Sequence, residues 1–119
     1  MKRTLILGAT TNQSRYAYLA ANKLKAHGHE IINIGIKSGE LAGKNIEKAT
    51  KIYPDVDTIT IYIGPKHQSE YYDYIIKTNP KRIIFNPGTD NPELESLATQ
   101  NDIETLHACT LVLLSIGQY

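Results

Sequence analysis

The sequence predicts an α/β protein: a Rossmann-like, doubly wound parallel sheet of about five strands with helices on both faces. Three observations lead there. Short apolar or β-branched runs alternate with helical stretches along the chain, the order that builds βαβ units. Several of these runs are apolar at nearly every position, as strands covered on both faces are. The runs end in turns rich in Gly, Pro and Asn, at Gly8, Gly35, Gly64-Pro65 and Asn86-Pro87-Gly88.

The elements follow in order. Thr4-Leu5-Ile6-Leu7 reads as a strand closed by Gly8. Ser14 to His27 has helical spacing, with Tyr18, Leu19, Asn22 and Leu24 near one stripe and Ser14 or Asn12 as the cap. Gly28 suits the left-handed stop of that helix. Glu30 to Ile34 is the second strand. From Lys37 to Ile52, Gly39 and Gly43 interrupt any pattern, which predicts a loop with an edge strand or a helical turn. Val56 to Ile63 is rich in β-branched residues and reads as a strand. Ser69 to Lys77 reads as a helix stopped by Pro80, with Tyr71, Tyr72, Ile75 and Ile76 as its apolar positions. Arg82 to Phe85 is a further strand. Pro92 to Gln100 is a helix with Pro92 in its first turn and Asn91 or Asp90 as cap. Ile103 to Leu106 is the last strand, and Cys109 to Ile116 favours a helix over a strand.

Length and composition bound the functions available. With 119 residues, 41% hydrophobic and 21% charged, the chain reads as one globular domain over 1–119. A formal charge of +1 argues against a dedicated nucleic-acid binder. The lone cysteine excludes an intrachain disulfide or a zinc cage, and no apolar run is long enough to span a membrane. A cytoplasmic protein is expected. The charge is uneven: residues 1–51 carry nine basic and three acidic side chains, and residues 52–119 carry four and nine. The split reads either as ordinary solvation of helix faces or as a cationic edge in the first half suited to a small polyanion.

The fold predicts where a ligand goes, namely outside the carboxyl ends of the strands at the switch in strand order. Four turns sit there: Gly8 to Asn12, Gly35 to Lys37, Tyr62 to Pro65, and Asn86 to Thr89. Glycines at such turns also serve tight turns in any α/β protein. The first turn is the most informative. Gly8 permits close approach of a ligand, and the amides from Ala9 onward, with the helix N-terminus, can hold a phosphate. Thr10, Thr11 and Ser14 add hydroxyls, and Arg15 either pairs with phosphate in a bidentate way or stands as a solvated first-turn residue. The turn lacks the glycines of a dinucleotide fingerprint. Lys37 stands where an NAD-binding protein places an acidic residue. A lysine there suits the extra ribose phosphate of NADP or coenzyme A.

Gly8-Ala9-Thr10-Thr11-Asn12-Gln13-Ser14-Arg15-Tyr16-Ala17-Tyr18 resembles the opening of small stand-alone CoA-binding proteins. These are related to the CoA-binding domain of the succinyl-CoA synthetase alpha subunit. His27-Gly28-His29-Glu30, Gly35 with a basic residue nearby, Val56 to Thr60, Asn86-Pro87-Gly88-Thr89 and Cys109-Thr110 extend the resemblance over nearly the whole chain. It implies that Gly8, Ala9, Thr10, Thr11, Ser14 and Arg15 hold the phosphates of CoA, with Lys37 near the ribose phosphate. It also implies that Tyr62, Gly64 and Pro65, with Asn86, Pro87, Gly88 and Thr89, line the route of the adenosine or pantetheine portion. Thr10 stands for the usual serine, and Gln13 for the usual proline, which loosens the turn.

Nothing in the chain makes a catalytic constellation. The synthetase needs a second domain bearing a phosphorylated histidine, and this chain is too short to hold one. His107 and Cys109 would form a thiol–imidazole pair only if their side chains met. No two histidines have metal-ligand spacing with a carboxylate cluster. Tyr71, Tyr72 and Tyr74 cannot all bury on one helix face, so one is left for the surface or a subunit contact. Tyr16 and Tyr18 flank the first loop, where one can stack on an adenine, and core packing is the expected fate of Tyr18. Three readings remain: a binder of CoA or acyl-CoA that acts as carrier, sensor or partner subunit; an NADP-linked oxidoreductase remnant; and an interaction module without ligand. A homodimer is compatible with each.

Overall fold

The computed structural model describes residues 1–119 and contains the predicted α/β architecture. Strands β1 (Thr4–Leu7), β2 (Ile31–Ile34), β3 (Glu40–Leu41), β4 (Lys44–Glu47), β5 (Thr58–Ile61), β6 (Arg82–Phe85) and β7 (Glu104–His107) form one sheet in the order β3-β4-β2-β1-β5-β6-β7. All pairs are parallel except β3 with β4. The helices are α1 (Tyr16–Ala26), α2 (Tyr72–Thr78), α3 (Pro92–Gln100) and α4 (Thr110–Ser115). None is long and apolar enough to cross a membrane.

Alternation along β1 divides the core. Leu5 and Leu7 join Ile59, Ile61, Ile75, Ile83, Phe85 and Leu94 on the face covered by α2 and α3. Ile6 packs with Ala17, Ala21, Leu24 and Leu114 on the face covered by α1 and α4. The chain leaves β1 toward β2 on one side and returns to place β5 on the other. The strand order thus switches beside β1, and a crevice opens there.

The sheet has seven strands where about five were expected. The two extra strands come from the stretch around Gly39 and Gly43. It folds into a β3–β4 hairpin whose two turn residues, Ala42 and Gly43, have φ of 52° and 80°. Asn33 on β2 anchors the hairpin, its buried Nδ2 donating to the carbonyls of Leu41 (2.9 Å) and Lys44 (3.1 Å).

Other boundaries moved for identifiable reasons. The buried stripe of α1 is Ala17, Ala20, Ala21 and Leu24, while Leu19 and Asn22 face solvent. Small side chains let the helix sit close to the sheet, and that contact outweighs the bulk of Leu19. The expected caps are absent: Arg15 precedes the helix in extended conformation without a side-chain cap bond. Asn12 instead accepts from the Ser14 amide (3.0 Å) and hydroxyl (2.7 Å). The helix expected from Ser69 is delayed by two 3₁₀ turns, Pro65–His67 and Ser69–Tyr71, and α2 closes on Asn79 in the left-handed region. β5 is shorter than its β-branched run, and β7 begins one residue later than expected. α3 has its expected bounds, with Asn91 Oδ1 accepting from the amides of Glu93 and Leu94.

Candidate functional site

The crevice at the switch point has a volume of about 710 Å³, within the range of small-molecule sites. One wall is the β1–α1 loop. Gly8 lies at φ 102°, and a Cβ there would come within 2.9 Å of Ile63 Cγ2 and 3.2 Å of the Tyr62 carbonyl carbon. Only glycine lets β1 turn so close to the end of β5. The amides of Gly8 and Ala9 are both taken by the carbonyl of Ile34, which pins the loop to β2.

Beyond Ala9 the loop leaves donors free. The backbone amides of Thr10, Thr11, Tyr16 and Ala17 make no hydrogen bond within the chain. They border the same space as the exposed side chains of Arg15 and Lys37. Unpartnered amides at a helix N-terminus beside cationic side chains are the groups that anion recognition draws on.

The opposite wall comes from residues after β5 and β6. Tyr62, Gly64, Pro87 and Thr89 line it, with His67, Glu70 and Tyr71 from the 3₁₀ segment. Gln68 holds this wall together from beneath. Its fully buried amide donates to the carbonyls of Ile63 (3.0 Å) and Thr89 (2.8 Å) and accepts from Asn91 Nδ2 (3.0 Å). Burial pushes the Tyr62 phenol up to about 12, opposed in part by the nearby Thr60 and Thr110 hydroxyls. Those hydroxyls bond each other (2.8 Å), and Tyr62 Oη is buried without a partner. Tyr62 is therefore a neutral wall at physiological pH.

A model of the CoA binding domain family matches residues 2–115. The chain belongs to the CoA binding domain family. Among solved structures, an uncharacterized protein is 54% identical, with a TM-score of 0.97 and coverage of 100% of this chain and 98% of that one. A Thermus thermophilus protein is 19% identical with a TM-score of 0.87, covering 99% of this chain and 90% of its own. A hypothetical protein from Pyrococcus horikoshii is 24% identical with a TM-score of 0.83, covering 93% and 79%. These last two share the fold. No curated protein matches the sequence.

Of the residues singled out in this CoA binding domain, Gly8, Ala9, Thr10, Thr11, Arg15, Lys37, Tyr62, Gly64, Pro87 and Thr89 border the crevice. Ser14, Gly35, Pro65, Asn86 and Gly88 are not on its wall. The Ser14 hydroxyl is held by Asn12. A Cβ on Gly35 would lie 2.4 Å from the Ala9 carbonyl oxygen, so that glycine serves close packing of β2 against the first loop. Asn86 is buried, and both ends of its amide are engaged by the protein. Nδ2 donates to Thr60 Oγ1 (2.7 Å) and the Ile61 carbonyl (2.8 Å), and Oδ1 accepts from the Thr110 amide (2.9 Å).

Tyr16 is 69% exposed and lines the crevice, whereas Tyr18 packs against the core under α1. Of the three crowded tyrosines, Tyr71 faces the crevice. Tyr74 is buried with its hydroxyl donating to the Lys51 carbonyl, and the Tyr72 hydroxyl accepts from Asn91. The sequence reading placed Ile36 only within the second turn and missed His67, Glu70 and Tyr71, and Gln68 behind them. Their only signal was position after the β2 and β5 turns.

His107 and Cys109 do not pair. The His107 ring stacks on Phe85, its Nε2 lies 3.2 Å from Glu95 and its Nδ1 3.3 Å from Asp90. The hydrogen bond to Glu95, and then that to Asp90, raises the imidazole pKa above its usual 6.5. Protonated His107 therefore stabilises the fold fully below the unfolded pKa near 6.5, and that contribution is lost as pH rises through the higher folded value. The ring is half exposed, so the effect is small. In urea melts across pH 5–9, the wild-type midpoint should fall relative to His107→Gln over that window; parallel curves would remove the interaction.

Proposed function

We propose that residues 1–119 act as one unit that binds coenzyme A or an acyl-CoA without transforming it, serving as a carrier, sensor or partner subunit. The observation that carries this reading is the meeting of free loop amides with Arg15 and Lys37 on one crevice, in a chain of the CoA binding domain family. Charge orients the ligand. Arg15 and Lys37 flank the β1–α1 side and Glu70 lies on the opposite wall, so the phosphates run along the first loop. The uncharged pantetheine arm then passes toward Tyr71 and Pro87, where a carboxylate does no harm. Exposed Tyr16 and Ile36 at the mouth offer flat apolar surface for the adenine.

Calorimetric titration with CoA, acetyl-CoA, NADP and ADP tests this reading. CoA is expected to bind most tightly, and Arg15→Ala to weaken it about tenfold or more through loss of charge-assisted hydrogen bonds. No heat and no thermal shift with CoA at millimolar concentration would overturn it. A response to NADP alone would favour the nucleotide-binding oxidoreductase remnant, for which Lys37 is equally suited.

A further inference from the structure

We propose that Tyr119 is a latch that holds α4 to the amino end of the sheet, and that protonation of His29 opens it. This is the end opposite the crevice. The Tyr119 ring lies edge-to-face with the His29 imidazole, centroids 4.9 Å apart. Arg82 Cζ lies 4.6 Å and Lys2 Nζ 5.9 Å from the same ring centre. The Tyr119 hydroxyl bonds Thr4 Oγ1, and Arg82 Nη2 donates to the Tyr119 main-chain oxygen (3.1 Å). Arg82 is itself fixed, its Nε donating to Thr58 Oγ1 (2.8 Å). Thr4, Thr58 and Arg82 open β1, β5 and β6, and His29 stands just before β2. Tyr119 is thus seated on the starts of the central strands. Between α4 and this seat, Gly117 turns the chain at φ 70° and the Gln118 amide donates to the Leu113 carbonyl (2.8 Å). The seat therefore fixes the last turn of α4. A helix this short has little stability of its own, so its attachments decide whether it stays folded.

The imidazole makes the latch sensitive to acid. His29 Nδ1 accepts from the backbone amide of Lys2 (2.9 Å). A ring nitrogen in that role carries no proton. Protonation sets two donors against each other, so the Lys2 strand lead and the His29 ring must part. The titratable groups that act on the ring are the Met1 amine, His27, Lys2 and Arg82, each cationic when charged. The adjacent carboxylate, Glu30, is engaged by Arg3 (3.1 Å). An imidazolium would therefore join a cluster of cations around one aromatic ring. Burial first, and then these charges, hold the His29 pKa below its usual 6.5. Neutral His29 stabilises the seat fully above the unfolded value near 6.5, and that contribution is lost as pH falls through the lower folded value. The sign is opposite to that of His107, whose contribution is lost as pH rises.

Hydrogen exchange of the α4 amides tests both halves of the proposal, read at each pH as a ratio of wild type to variant so that the intrinsic rate cancels. His29→Asn keeps an oxygen acceptor near the Nδ1 position and cannot take up a proton. Wild type and His29→Asn are expected to exchange alike at pH 8. At pH 5 the wild type is expected to exchange about fivefold faster in α4, while α3 on the other face of the sheet exchanges alike in both. Tyr119→Ala should free α4 about fivefold or more at pH 8, and adding His29→Asn to it should change nothing at either pH. A ratio that stays at one at pH 5, or one that rises equally in α3, would overturn the switch. Unchanged α4 exchange in Tyr119→Ala would overturn the latch. Should either variant fold poorly, NMR titration of the wild type decides. The Tyr119 ring signals are expected to shift with the His29 midpoint, below 6.5, and ring signals indifferent to that titration would overturn the coupling.

Discussion

Gly8→Ala is expected to lose about 2–4 kcal/mol of stability and most of the affinity for CoA. Two costs coincide at this residue. Its φ of 102° strains any L side chain, a penalty on the order of 1–3 kcal/mol. The new methyl would also meet Ile63 Cγ2 at 2.9 Å and the Tyr62 backbone at 3.2 Å, overpacking of a similar size. Relief requires β1 and the segment after β5 to separate, and those are the two sides of the crevice at its base. Urea unfolding and CoA titration of the same variant measure both effects. Gly64→Ala is the internal control, since Gly64 has an ordinary φ of −67° and open space around it. Its change should stay within about 0.5 kcal/mol. Equal behaviour of the two variants would refute the steric argument.

Asn86→Ala is expected to cost a similar amount, about 2–4 kcal/mol, by a different mechanism. The buried side chain makes three hydrogen bonds that join β5, the loop after β6 and the start of α4. Truncation leaves the Ile61 carbonyl and the Thr110 amide without these partners, and buried groups so stripped cost about 1–3 kcal/mol each before relaxation. The Thr60–Thr110 hydroxyl pair remains to hold part of the network, which limits the loss. Chemical denaturation should show a lower midpoint with an unchanged slope. Because Asn86 does not border the crevice, the CoA affinity of the folded variant should stay within about threefold of the wild type. A large affinity loss at unchanged stability would instead place the residue on the ligand.

The strands were legible because burial on both faces leaves a plain record in sequence. Leu5-Ile6-Leu7 and Ile83-Ile84-Phe85 are fully buried, and their β-branched and apolar character says so without further context. The α3 helix was equally readable, since Asn91 and Pro92 act through bonds and dihedrals a few residues away. The hairpin was not. Its turn residues signal a break, but pairing of β4 with β2 depends on Asn33, eleven residues before Lys44. The buried stripe of α1 was misread for a related reason. Its choice of Ala17 and Ala21 over Leu19 follows from how closely the helix approaches the sheet.

The site divides in the same way. Gly8, the polar first loop, Arg15 and Lys37 were identifiable from the sequence because a strand–turn–helix unit places them at one sheet edge by local geometry. Gln68 and the crevice-lining Tyr71 were invisible, because their roles come from chain segments about 20 and 60 residues away. Asn86 and Gly35 carry the same residue types a ligand site would use, and only packing shows that the protein itself employs them. The sequence by itself thus determined the α/β class, the order of its main elements and the place of the first loop on the crevice, since each follows from neighbours in the chain. The tertiary structure decided which side chains face the crevice and which are spent inside the fold, since burial and hydrogen-bond partners at long range are properties of the assembled sheet.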